Sequence, residues 1–185
     1  MIVERVARWS LAVVVASCLV PGRARAWDPE AEKKEVAAVE EALASFRKSE
    51  PKLKVYFDSA YGYAIFPTVG KGGIGVGGAY GKGRVYVGGK HVGNTALTQA
   101  SIGLQLGYES YSELIFFSDK AAFEAFKTGK AKFAAKASAY AVKAGAATEA
   151  NYSDGVAVFV KGKGGLMADA SLGGQSFSYE PVAPR

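Results

Sequence analysis

Histidine and cysteine each occur once in this 185-residue chain, as His91 and Cys18. A tetrahedral zinc site of the His/Cys type needs more nitrogen and sulfur ligands than that, so none can be built. The same count excludes a disulfide within the chain. No serine lies in a nucleophile-elbow sequence. The carboxylates do not cluster: Glu109 and Glu113 are expected on either side of a turn, and Asp154 and Asp169 stand alone. His91, in Gly89-Lys-His-Val, reads as an exposed loop residue between strands. Little is left for catalysis, and the expectation is a protein that is no enzyme and uses neither metal nor cofactor.

Long apolar runs are scarce too. The longest opens the chain, where Arg5 and Arg8 precede an apolar core over residues 11–20. Ten such residues are too few to span a bilayer. Pro21 and Gly22 then break the helix, and Ala24-Arg25-Ala26 offers small residues where a signal peptidase reads them. Residues 1–26 are therefore expected to be an export signal cleaved after Ala26, leaving one domain over 27–185 in the periplasm or outside the cell. An alternative stays open: Val15-Ala16-Ser17-Cys18 is similar to a bacterial lipobox, in which Cys18 would be acylated and anchor the chain. Net charge over the full chain is +6; without residues 1–26 it falls to +3, from 19 basic and 16 acidic residues.

What the chain has in abundance is glycine, more than a third of residues 62–89. Glycine weakens helix and strand alike, so it marks places where φ is positive, where backbones pass closely or where a ligand meets the main chain. Gly73-x-Gly75-x-x-Gly78 matches the dinucleotide fingerprint by letter only. That fingerprint must open a helix, and here Tyr80-Gly-Lys-Gly-Arg-Val-Tyr-Val reads as a turn entering a strand. No phosphate-cradling loop of the Gly-Lys-Ser/Thr type is present either.

The periods of apolar residues change along the chain. Asp28-Pro29 reads as the cap and first position of a helix over 29–48, whose stripe is Val36, Val39, Leu43 and Phe46. A second short helix is expected over 51–59. After Ala60 the period becomes two, with strands around 74–76, 85–87, 102–108 and 114–117. Ser118-Asp119 caps a third helix, ended by Gly129. Residues 130–142, 156–160, 166–172 and 176–179 read as further strands. The fold class expected is α+β: a curved antiparallel sheet or barrel of seven to eight short, glycine-rich strands with packed N-terminal and internal helices. An outer-membrane barrel is disfavoured by the interrupting helices and short strands.

Several motifs occur in a fixed order: Gly-Tyr-Ala-Ile-Phe-Pro at 62–67, Gly-Gly-Ile-Gly-Val-Gly-Gly at 72–78, and Ile-Gly-Leu-Gln-Leu-Gly at 102–107. Ala-Phe-Glu-Ala-Phe at 122–126, Gly-Gly-Leu at 164–166 and Ala-Asp-Ala-Ser-Leu-Gly at 168–173 follow. This series resembles the SYLF domain family, over nearly all of 35–180. The resemblance implies a compact α+β domain that binds phospholipid, phosphoinositides included, and performs no reaction.

Charge gives that implication a place. Lys71, Lys82, Arg84 and Lys90 fall in a stretch without acid, and Lys127 to Lys143 form a second one. Tyrosine beside lysine or arginine suits a headgroup layer, with the ring at the interface and the cation on phosphate. The expected lipid-binding residues are Lys71, Tyr80, Lys82, Arg84, Tyr86 and Lys90, with Lys130, Lys132 and Lys136 as a second face. The expected partner is an anionic phospholipid membrane and not nucleic acid. The alternative is an envelope module, structural or protein-binding, that ignores lipid.

Overall fold

A computed structural model describes residues 28–129, 140–141, 152–163 and 174–182. The expected signal cleavage at Ala26, the lipobox cysteine Cys18, the strand over 166–172 and Lys130, Lys132 and Lys136 lie outside the described residues.

Helix α1 (Pro29–Ser49) starts where expected. The Asp28 side chain accepts hydrogen bonds from the amides of Glu30 and Ala31, and Pro29 needs no donor at the first position. Val39, Ala42, Leu43 and Phe46 form its buried stripe. A single 3-10 turn (Pro51–Leu53) leads into α2 (Lys54–Ser59), which buries Tyr56.

Two long strands follow, β1 (Gly62–Val87) and β2 (Lys90–Phe117), joined at Gly88 and Gly89. Those two glycines have φ of +55° and +75°, the left-handed pair that a two-residue hairpin requires. The separate short strands expected between residues 74 and 117 are corrected here. The segments at 74–76 and 85–87 belong to β1, and those at 102–108 and 114–117 belong to β2. The ladder runs on through these segments and shifts register between Phe66 and Val69, Ile74 and Val76, and Val85 and Tyr86. No turn separates Glu109 from Glu113, since both lie in β2.

After α3 (Lys120–Lys127), capped by the Asp119 side chain on the Ala122 amide at 2.9 Å, come β3 (Tyr140–Ala141), β4 (Val156–Gly162) and β5 (Gln175–Pro181). Strand β2 is the spine. It pairs with β1 along one edge and, on the other, with β5 at residues 93–99 and β4 at 111–117, all antiparallel. Strand β3 adds to β4 in parallel. The described residues thus form an α+β fold around one curved, largely antiparallel sheet of five strands.

The ribbon doubles back on itself. A Cβ on Gly83 would lie 2.5 Å from the Ile65 carbonyl oxygen, one on Gly81 2.9 Å from the Thr68 oxygen, and one on Gly62 2.5 Å from the Tyr86 oxygen. The beginning and end of β1 therefore approach closely enough that only glycine fits. The proximal half of the ribbon (62–69 and 110–117) and the distal half (79–99) enclose one core, with Phe66, Ile115, Phe117, Phe126 and Phe177 at its centre. The opposite face of the proximal half packs under α1 and α2, where Phe46, Leu53, Tyr56, Phe116 and Phe159 meet. Lys161 on β4 clamps the end of α1 from below: its ammonium donates to the Ser45 carbonyl at 3.1 Å, to the Ser45 hydroxyl at 2.6 Å and to the Ser49 hydroxyl. A cation at a helix C-terminus meets the negative end of the dipole.

Candidate functional site: an uncovered sheet face

Helix α1 covers only part of the outer sheet surface, and Arg84 marks the border. Its guanidinium is 9% exposed and lies 3.7 Å from the Glu35 carboxylate and 3.9 Å from that of Glu32, both on the first turns of α1. Beyond Arg84 the distal half carries no helix among the described residues. There the ladder sets Tyr80 opposite Thr98 and Thr98 opposite Ser176, then Lys82 opposite Ala96 and Ala96 opposite Ser178. Directly opposed residues share a face. Tyr80 is 53% exposed, and Lys82, Thr98, Ser176 and Ser178 are also exposed. The result is a three-stranded face of hydroxyls with one cation and one exposed aromatic ring.

The sequence-predicted residues divide accordingly. Tyr80 and Lys82 stand two apart on this face, and Lys90 is exposed beside the hairpin turn. Lys71 and Arg84 do not join them, being 8% and 7% exposed. The expectation that these two cations present their charge to solvent is corrected. Lys71 is buried and stands opposite Glu109 in the ladder; Arg84 is claimed by α1. Tyr86 is half-buried and stacks on Tyr63, with centroids 5.1 Å apart and planes 17° from parallel. Burial raises the pKa of both phenols.

His91 lies in β2 and not in an exposed loop. Its Nε2 is 3.1 Å from both the Gly93 carbonyl oxygen and Asn94 Oδ1, and its ring is 5.6 Å from that of Tyr86. Burial first, and then the Arg84 charge, hold its pKa below the ordinary value. Among the described residues no three His, Cys, Asp or Glu side chains gather as a metal site, and no helix is long and apolar enough to cross a membrane.

Sequence reasoning missed Tyr108. Among the described residues it is the most exposed large aromatic of the sheet, at 75%, and its ring lies over Gly70, where a Cβ would come within 2.9 Å of the phenol oxygen. Glycine opposite tyrosine across a ladder was the available signal. Tyr108 pairs with Gly72, so it stands on β2 several residues beyond the Tyr80 row.

Residues 98–181 match a family model described as Ysc84, Las17-binding protein actin regulator. The chain is also similar to Beta cell expansion factor A of Aeromonas veronii, with 33% identity over 138 residues, covering 74% of this chain and 52% of that protein. The chain thus spans about half the length of the curated relative it matches.

Proposed function

The chain belongs to the Ysc84 (SYLF) family, and on that premise we propose that it binds anionic phospholipid surfaces, phosphoinositides included, without catalysing a reaction. The observation that carries this reading is the uncovered face of Tyr80 and Lys82, bordered by serine and threonine hydroxyls. An exposed sheet face can lie against a headgroup layer, with the ring of Tyr80 at the interface and Lys82 and Lys90 on phosphate. Each cation near an anionic bilayer is worth about 1 kcal/mol. Lys130, Lys132 and Lys136 remain candidates for a second contact. The protein acts in the periplasm or outside the cell after cleavage at Ala26, or on a membrane through an acylated Cys18; the intact mass of the processed chain distinguishes these.

Tyr80→Ala combined with Lys82→Gln tests the face. In vesicle sedimentation the variant should bind acidic vesicles about tenfold more weakly than the parent at low salt, which corresponds to about 1.4 kcal/mol. Its melting temperature should stay within a few degrees, because both side chains are exposed. Equal binding by parent and variant would remove this face from the proposal. Absence of parent binding at every anionic content would instead favour a module that docks a protein there.

A further inference from the structure

Glu113 is a carboxyl group with no exposed surface, placed at the centre of the folded ribbon. In β2 it shares a face with Tyr111, Ile115 and Phe117, and the ladder sets it between Phe66 of β1 and Val160 of β4. Its Oε2 accepts one hydrogen bond, from Gln175 Nε2 at 3.0 Å. Its Oε1 has no partner among the described residues.

Among the described residues, the charged and titratable groups of the packed elements do not neutralise an anion there. On β2 the nearest titratable side chain is Tyr111, whose phenol burial pushes its pKa up. On β1, Lys71 lies opposite Glu109, four residues along the spine from Glu113. On β5, Tyr179 donates to the Val92 carbonyl, and on α3, Lys127 pairs with Glu124. Strand β4 offers only apolar side chains between Val156 and Val160. A carboxylate in this position would be a buried charge without a cation beside it among the described residues, which costs several kcal/mol. A neutral acid needs far less: its oxygen still accepts from Gln175.

The Gln175 bond also crosses between two parts of the sheet. Glu113 belongs to the proximal half, where β2 pairs with β4, and Gln175 opens β5, which pairs with the distal half opposite Gln99. Phe66 and Phe177 make the neighbouring contact between the same halves, at 5.7 Å.

We propose that the Glu113–Gln175 pair is a proton-dependent latch: the folded ribbon closes around a protonated Glu113, and loss of that proton to solvent loosens β5 from the proximal half. Burial raises the carboxyl pKa to about 8, opposed only by the Gln175 hydrogen bond. The sign follows from linkage. In the unfolded chain the acid ionises near its ordinary value of 4.5, so between there and about pH 8 the folded form holds one proton more. Its contribution is fully present at acid pH and is lost as pH rises through that window, with an opening equilibrium that shifts by about tenfold per pH unit.

The test compares the full chain with Glu113→Gln, which keeps the shape of the protonated acid and cannot ionise. Between about pH 5 and about pH 8 the parent's denaturation midpoint should fall relative to that of the variant. Amide exchange of β5, corrected for intrinsic rates, should accelerate at least about tenfold in the parent and stay level in the variant. Parallel pH profiles for the two proteins would overturn the latch. Should Glu113→Gln fail to fold, the infrared carbonyl band of a protonated carboxylic acid in the parent decides. Its presence at neutral pH, with loss as β5 exchange rises, supports the proposal; its absence at neutral pH refutes it.

Discussion

Replacing Gly83 with valine should lower stability by about 3 kcal/mol or more, a large share of the total for a domain of this size. The reason is geometric. A Cβ there would stand 2.5 Å from the Ile65 carbonyl oxygen and 2.7 Å from the Phe66 ring. The first of these is backbone, so no rotamer change relieves it, and both ends of β1 would have to separate. Gly88→Asn provides the contrast. That position has positive φ and nothing within 4 Å of a Cβ, and asparagine tolerates the left-handed region. Urea titrations of the two variants should therefore differ by a wide margin, although both remove a glycine from the same hairpin. Similar midpoints would mean that the two ends of β1 do not pass this closely.

Phe116→Ala should cost about 3–5 kcal/mol, as for other large aromatic truncations in a core. Phe116 is fully buried and touches four rings: Tyr56 at 5.4 Å, Phe57 at 5.0 Å, Tyr63 at 6.0 Å and Phe159 at 5.9 Å. Those rings come from α2, β1 and β4, so the cavity would open where three elements meet and none can move in alone. Val55→Ala, on the 66% exposed side of α2, should change the urea midpoint little. Equal losses for the two truncations would show that α2 does not dock on the sheet through Phe116.

The helices were legible because their signals are local. Asp28-Pro29 and Asp119 cap where a chain must satisfy its own amides, and the α1 stripe repeats at three and four residues. The strands were legible as strands but not as continuous ones. Glycine in a ladder looks like punctuation when read along the chain, yet here it lets one strand bend back upon itself. That function depends on residues some twenty positions away, such as Gly83 beneath Ile65. The candidate face was half legible for a related reason. Composition showed lysine, arginine and tyrosine without acid, but strand parity and the reach of α1 decide which of them meet solvent. Glu32 and Glu35 remove Arg84 from the set, although they lie some fifty residues upstream. Glu113 was legible in principle: two-residue parity puts it on the same face as Tyr111, Ile115 and Phe117. The expected turn after Glu109 hid that parity.

The two glycines at the hairpin tip carry a last implication, about where covalent continuity matters. Gly88 and Gly89 are exposed and a Cβ on either would meet nothing within 4 Å, whereas the strands they join are bonded to each other from Val87 and Lys90 to Gly62 and Phe117. Connectivity and cohesion are thus separated at this point: the peptide link brings the strands together, and the ladder then holds them. A chain cut there, or given new termini there, should keep its sheet, since exposed tips of this kind tolerate circular permutation. The glycines inside β1 allow no such freedom, for they sit where the ribbon passes over itself and a break would free the close approach that closes the core.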